Sequence, residues 1–182
     1  MPIFAATCSL GCGWWKEHGL WALDTSNPNC YDTCHTNILQ QSCADMVTTQ
    51  ETRLRTSDAI SSAKRRARSV GWNSHFSEAR TTEALRGSGG CGVLARKGTG
   101  VAPADESMVK QEFTHRISAA WVNAALPGGI YVVSGYLQDT ALLNEHNMAV
   151  LEEVAALTRS FKAPWIMTGD WNMPPELLQG TS

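Results

Sequence analysis

At 182 residues the chain has the size of one domain and is long enough to bury a real core. A hydrophobic content of 43% and a charged content of 18% fit a globular chain, and no window has the uninterrupted apolar length of a membrane-spanning helix, so no membrane partner is expected. Fifteen Lys+Arg against seventeen Asp+Glu give a net charge of −2, which argues neither for nor against a polyanionic partner.

The first fifteen residues, MPIFAATCSLGCGWW, carry no charge, and residues 1–18 read as a leader ahead of a domain at 19–182. Gly11 and Gly13 interrupt the apolar stretch and Lys16 comes too late for a secretory signal, so an intracellular location, cytoplasmic or nuclear, is expected. The six cysteines (Cys8, Cys12, Cys30, Cys34, Cys43, Cys91) are even in number. A chain this long does not need a disulfide framework, so reduced thiols are expected.

Four apolar runs read as strands, and each ends on a polar side chain. GLWALDTSN leads to Asn27 with Pro28 behind it, and ADMVTTQE leads to Gln50 and Glu51. A helix follows, capped by Thr56 or Ser57 and running through Val70. Ala59, Ile60, Ala63, Ala67 and Val70 lie on one side of it, and Gly71 is its stop. Six of the fifteen basic residues fall at 53–68, including KRRAR at 64–68, with Asp58 the single acid among them. That run reads first as a solvated helix face, and second as a nucleic-acid contact or nuclear address.

The segments 75–90 and 98–107 read as turn-rich loops. Strands are expected at 91–97 and 116–126, the latter joined across Pro127-Gly-Gly129 to the β-branched run GGIYVVSGYLQ, which reaches Tyr136. A second helix is expected from a Thr140 cap, with Leu143, Asn147, Val150, Leu151, Val154 and Leu157 at helical spacing and Glu145, Glu152, Glu153 and Arg159 on its polar side. The fourth strand, APWIMTGDWN, reaches Asp170 and Asn172. Trp121 and Trp165 read as core residues of their strands. Hairpins mixed with crossover helices point to a layered α/β sandwich.

Strands that each end in an oxygen-bearing side chain suit a hard cation, since magnesium prefers oxygen ligands and is held by one or two carboxylates while keeping waters. In an extended segment Asp170 and Asn172 would point the same way, with Trp171 opposite, and Gly169 would permit close backbone approach. Strand ends are also where α/β sheets place their sites.

With TTQETRL around Glu51 and PWIMTGDWNMPPELL around Asp170, the chain resembles the endonuclease/exonuclease/phosphatase superfamily, whose members carry a Gln-Glu at one strand end and a Gly-Asp-x-Asn at another. GGCGVLARKG, HRISAAWVNAALPGGIYVVSGYL and a helix stand between them in the expected order. The resemblance covers about residues 20–178, the first two-thirds of a family domain, and so implies a C-terminally truncated α/β sandwich of that type.

The resemblance implies that Glu51 binds a metal, Mg²⁺ or Mn²⁺, with Asn27 ordering that site and Asn29 as its rival. Tyr136 would stand near the scissile phosphate, Asp170 would position or deprotonate the attacking water, and Asn172 would steady phosphate and aspartate. Arg53 and Arg55, just after Glu51, are candidates to face a substrate phosphate. The implied activity is metal-dependent phosphodiester hydrolysis of the nuclease kind, on nucleic acid or another phosphoester.

Two departures from the family pattern are mild: Thr48 and Thr49 precede the Gln-Glu where apolar residues are usual, and Trp171 stands where phenylalanine is common. The third is larger. The family's catalytic Asp-His pair lies downstream of Gly-Asp-x-Asn, whereas the five histidines here (His18, His35, His75, His115, His146) all precede it. A rival reading is therefore a catalytically inactive remnant or nucleic-acid-binding module of the same fold, with a protein partner covering an exposed half-sandwich. A third is a zinc module built on Cys8, Cys12, Cys30, Cys34 and His35.

Overall fold

The computed structural model describes residues 14–83, 86–105, 109–139 and 142–174. In chain order its elements are α1 (Trp14–Glu17), β1 (Leu23–Ser26), α2 (Tyr31–Thr33) continued by a π-helical turn (Cys34–Leu39), β2 (Met46–Thr49) and α3 (Ser57–Ser69). Then come β3 (Trp72–Phe76), the short pair β4 (Arg80–Thr81) and β5 (Gly87–Ser88), β6 (Gly92–Arg96), β7 (Val101–Pro103), a 3₁₀ turn (Gln111–Phe113) and β8 (Ile117–Val122). The chain continues through β9 (Ile130–Tyr136), α4 (Glu145–Ser160) and β10 (Trp165–Asp170).

The strands form two four-stranded sheets, β1-β2-β6-β3 and β10-β9-β8-β7, each with one parallel pair at its start (β1 on β2, β10 on β9) and antiparallel pairs beyond. Small and β-branched residues from both sheets, among them Val93, Ala95, Ala120, Val122 and Val132, fill the space between them. On the outer face of the first sheet, Ala63 and Ala67 of α3 pack with Val47, Trp72 and Leu94. On the outer face of the second, Val150, Val154 and Leu157 of α4 pack with Val133 and Leu137. Helix, sheet, sheet, helix is the layered α/β sandwich that the sequence predicts.

The helices show how local chemistry sets boundaries. Thr56 caps α3, its side chain accepting from the Ala59 N–H, and Gly71 at φ +89° ends the run. For α4 the expected Thr140 cap lies outside the described residues, and the cap is Asn144, whose Oδ1 accepts from the Asn147 N–H at 2.9 Å. Asn147 is fully buried and its amide bonds Gln138 and Leu142 carbonyls, fixing the loop that feeds the helix. Glu153, expected on the solvated side, is buried instead, accepting from the Lys110 N–H and pairing with the Lys110 ammonium.

Other expectations are corrected. The segments 75–90 and 98–107 contain the end of β3, the β4–β5 pair and β7. The strand expected over 116–126 stops at Val122, and the link to β9 is a longer loop in which Ala125 takes φ 65°. Trp165 is 49% exposed because β10 is the edge of its sheet among the described residues, and Trp121 is only partly buried, its indole N–H donating to the Gly128 carbonyl. Cys43 is disulfide-bonded, against the expectation of reduced thiols, and its partner lies outside the described residues. Trp15 and Lys16 both engage Asp45, which ties the start of the described chain to β2.

Candidate active site at four strand ends

Register places the four polar strand ends together. Ser26 lies opposite Thr49 in the first sheet, and Asp170 lies opposite Tyr136 in the second, so β1, β2, β9 and β10 all finish at one end of the sandwich. Between those strands the sheets meet through polar side chains. The Thr48 and Thr168 hydroxyls lie 2.5 Å apart, and the buried Gln50 amide donates to the Ser134 hydroxyl at 2.9 Å. The Ser134 hydroxyl in turn donates to the Thr49 carbonyl. This accounts for Thr48, which stands at a hydrogen-bonded seam where an apolar residue would leave the Thr168 hydroxyl unpaired; Thr49 serves the seam through its backbone carbonyl.

At the rim of that seam, Asn27 Nδ2 donates to Asp170 Oδ2 at 2.7 Å, joining residues 143 positions apart. Asn27 Oδ1 accepts from the Asn29 N–H, so Asn29 supports Asn27. The second Asp170 oxygen accepts from the Asn172 N–H at 3.1 Å. Asn172 reaches Asp170 through a turn: β10 ends at Asp170, Asn172 takes φ 49°, and its amide donates to the Leu137 carbonyl at 2.7 Å. The expectation of two side chains addressing one point from a single extended strand is corrected accordingly. Trp171 turns to the α4 side, packing against that core.

The other half of the site is a 2.8 Å hydrogen bond from the Tyr136 hydroxyl to Glu51 Oε1. Glu51 and Arg53 take φ 52° and 57°, a region non-glycine residues seldom enter. The cost of such backbone is of order 1–3 kcal/mol per residue and persists only where surrounding structure enforces it. Here the enforcing contacts are Thr52 and Arg53 N–H groups donating to the Gly90 and Gly89 carbonyls. Gly90 cannot carry a side chain, since a Cβ would meet Thr52 Oγ1 at 2.6 Å. Arg53 and Arg55 are both exposed, and Arg53 forms no ion pair among the described residues.

Beneath Tyr136 lies Arg116, which sequence reasoning did not single out. Its guanidinium sits 4.6 Å from the Tyr136 ring centroid, the residue is only 7% exposed, and Nη1 has no hydrogen-bond partner among the described residues. Its Nε–H donates to His115 Nε2 at 3.2 Å. Burial, reinforced by the neighbouring Arg116 charge, lowers the His115 pKa to about 4, so at neutral pH the imidazole is uncharged and free to accept that proton. Burial, together with the bond to Glu51, raises Tyr136 above the ordinary phenol range and keeps it protonated as the donor. Burial likewise pushes the Cys91 thiol up to about 12. The sequence signal for Arg116 was only its place just before β8; packing reveals its position.

Among the described residues no group of three or more His, Cys, Asp or Glu side chains gathers where a metal could sit. The donor set at the strand ends is two carboxylates, Glu51 and Asp170, with the Asn27 amide beside them. Cys34 is fully buried with its thiol pushed up to about 11, and Cys8 and Cys12 lie outside the described residues, so the zinc alternative has no assembled site among those described.

The class is thus an α/β two-sheet sandwich with a polar, carboxylate-bearing site at one set of strand ends. No protein-family model matches the sequence, and no curated protein is significantly similar to it. Solved structures do share the fold. ANGEL2, a 2′,3′-cyclic phosphatase solved with adenosine-2′,3′-vanadate, superposes with a TM-score of 0.54 at 15% identity, over 85% of this chain and 54% of that one. The AP endonuclease LMAP from Leishmania major gives a TM-score of 0.50 at 14% identity, over 80% and 53%. The chain has the endonuclease/exonuclease/phosphatase fold, and it spans about half the length of these two chains.

Proposed function

We propose that the chain is a metal-dependent phosphodiesterase of the nuclease kind, acting by in-line attack of water on phosphorus. The observation that carries this reading is the convergence of Asn27, Glu51, Tyr136, Asp170 and Asn172 from four strands at one end of the sandwich. A carboxylate fixed at both oxygens, as Asp170 is by Asn27 and the Asn172 N–H, is a positioned base. It accepts the proton of the attacking water as the oxygen–phosphorus bond forms. The bond from phosphorus to the leaving oxygen breaks on the opposite side, and that oxygen takes a proton from solvent. Tyr136, its O–H held by Glu51, is the phenol that would stand beside the reacting phosphate, and Arg53 and Arg55 are the cations nearest in sequence to Glu51.

Two carboxylates and an amide suit a hard cation that keeps most of its waters, so Mg²⁺ or Mn²⁺ is the ion the donor set fits, with Glu51 as its protein ligand and Asn27 adjoining. When bound, such an ion supplies positive charge to phosphate oxygens as negative charge builds on them. Nucleic acid is the substrate class we favour, because the fold neighbours named above are a cyclic phosphatase solved with an adenosine derivative and an AP endonuclease.

The test is product release from a labelled oligonucleotide and from a chromogenic phosphodiester, with Mg²⁺ or Mn²⁺ and with EDTA. Release that needs the cation and disappears in Asp170→Ala supports the reading. No release with either ion would favour the inactive, binding-only form of the same fold.

A further inference from the structure

The basic run KRRAR divides when it folds. Ala67 is buried, and Arg66 turns away to Asp32 at 2.6 Å and over the Tyr31 ring. Lys64, Arg65 and Arg68, one face of α3 at i, i+1 and i+4, line a groove of about 420 Å³ with Trp72, Asn73, Ser74, Gly100 and Val101. No acidic residue lines it, and the three cations form no ion pair among the described residues. The Ser74 hydroxyl, at the groove wall, is shielded from solvent and has no hydrogen-bond partner among the described residues.

Attraction to the C-terminal end of α3 accounts for a cation in the last turn, such as Arg68. It does not account for three like charges converging on a polar groove that holds an unpaired hydroxyl, an arrangement that repels itself until an anion enters. The groove is also far from the strand-end site. Phe76 pairs with Gly92, the partner of Thr49 at the site end, while Trp72 pairs with Arg96 at the groove end, so four steps of ~3.3 Å set the ends of β3 roughly 13 Å apart, on a strand two places from β2. A phosphate in the groove is therefore not the one positioned at Asp170.

We propose that this groove binds the phosphodiester backbone of a single-stranded nucleic acid at a second position, anchoring a long strand remote from the strand-end site. Lys64, Arg65 and Arg68 would neutralise phosphates, and Ser74 Oγ would donate to a phosphate oxygen. With the indole of Trp72 buried, the contact is to the backbone rather than to bases, and sequence-independent.

The test is fluorescence anisotropy of a labelled single-stranded oligonucleotide, titrated in EDTA from ~50 to ~200 mM salt. Lys64→Ala/Arg65→Ala/Arg68→Ala should weaken binding by at least about tenfold and lower the salt slope by about 2, at ~0.7 per lost phosphate contact on a single strand. Arg66→Ala, which removes a charge already paired with Asp32, is the control and should change affinity less than about twofold. Circular dichroism and melting of each variant check that α3 is intact. Because the assay reads binding without turnover, it stands or falls independently of the hydrolase reading. Unchanged affinity in the folded triple variant would overturn the proposal. So would an Arg66→Ala loss equal to that of Arg65→Ala, which would mean bulk charge alone. Full displacement of the strand by inorganic phosphate at equal phosphate concentration would assign the groove to a free anion and also overturn it.

Discussion

Asn27 and Asp170, 143 residues apart, meet in a 2.7 Å hydrogen bond that joins the first strand of one sheet to the last described strand of the other. The bond fixes one Asp170 oxygen, as the Asn172 N–H fixes the other. Asn27→Asp replaces the donor by a like charge, so one carboxyl of the pair holds its proton to higher pH. The pH–rate profile should then move its ascending limb upward, with a loss of about 10²-fold or more at neutral pH. A profile unchanged in shape and height would separate Asn27 from the chemistry.

Thr48 and Thr168 test the polar seam. Either single change to valine leaves the other hydroxyl without its partner and should cost about 1–3 kcal/mol. The double change to valine removes both groups and should cost clearly less than the sum of the singles in chemical denaturation. Strict additivity would show that the two hydroxyls do not pair.

Gly169 lies where β10 crosses Gly135 of β9, and a Cβ there would stand 2.9 Å from the Gly135 carbonyl carbon. The obstacle is backbone, which cannot turn aside, so Gly169→Ala must shift β10 against β9. A loss of about 1–3 kcal/mol in the melting transition is expected, together with loss of activity out of proportion to it because Asp170 moves with the strand. Normal stability and activity would mean the strands are spaced more loosely than described.

His115 should make stability depend on pH. Its folded-state pKa of about 4 lies below the ordinary 6.5, so the unfolded chain binds more protons between those values. Its contribution is complete above about pH 6.5 and is lost as pH falls through 4, up to on the order of 3 kcal/mol. His115→Gln keeps an acceptor for Arg116 but does not titrate, and should flatten the denaturation midpoint between pH 7 and pH 4. An equal pH dependence in wild type and variant would place the titration elsewhere.

Much of this site was legible because each strand that serves it is a β-branched or apolar run that stops at a polar residue: TTQE, VVSGY and IMTGD all show the transition directly. What escaped is what tertiary packing decides. Trp72–Phe76 reads WNSHF, with neither alternation nor β-branched residues, yet pairing with β6 makes it a strand. Asn144 caps α4, and Asn147 anchors the loop before it, a pairing that the sequence pattern does not show. Asn172 enters the site by a left-handed turn, which spacing alone does not show. Arg116 precedes an ordinary strand, and only the neighbouring β9 places Tyr136 over it.

The most direct test of the hydrolase account is single-turnover cleavage of a labelled oligonucleotide across a Mg²⁺ titration by wild type, Glu51→Gln and Asp170→Asn. The account predicts that Glu51→Gln needs far more Mg²⁺ to reach a given rate, while Asp170→Asn is slow at every Mg²⁺ concentration by about 10²-fold or more. Cleavage by Asp170→Asn at the wild-type rate would contradict it.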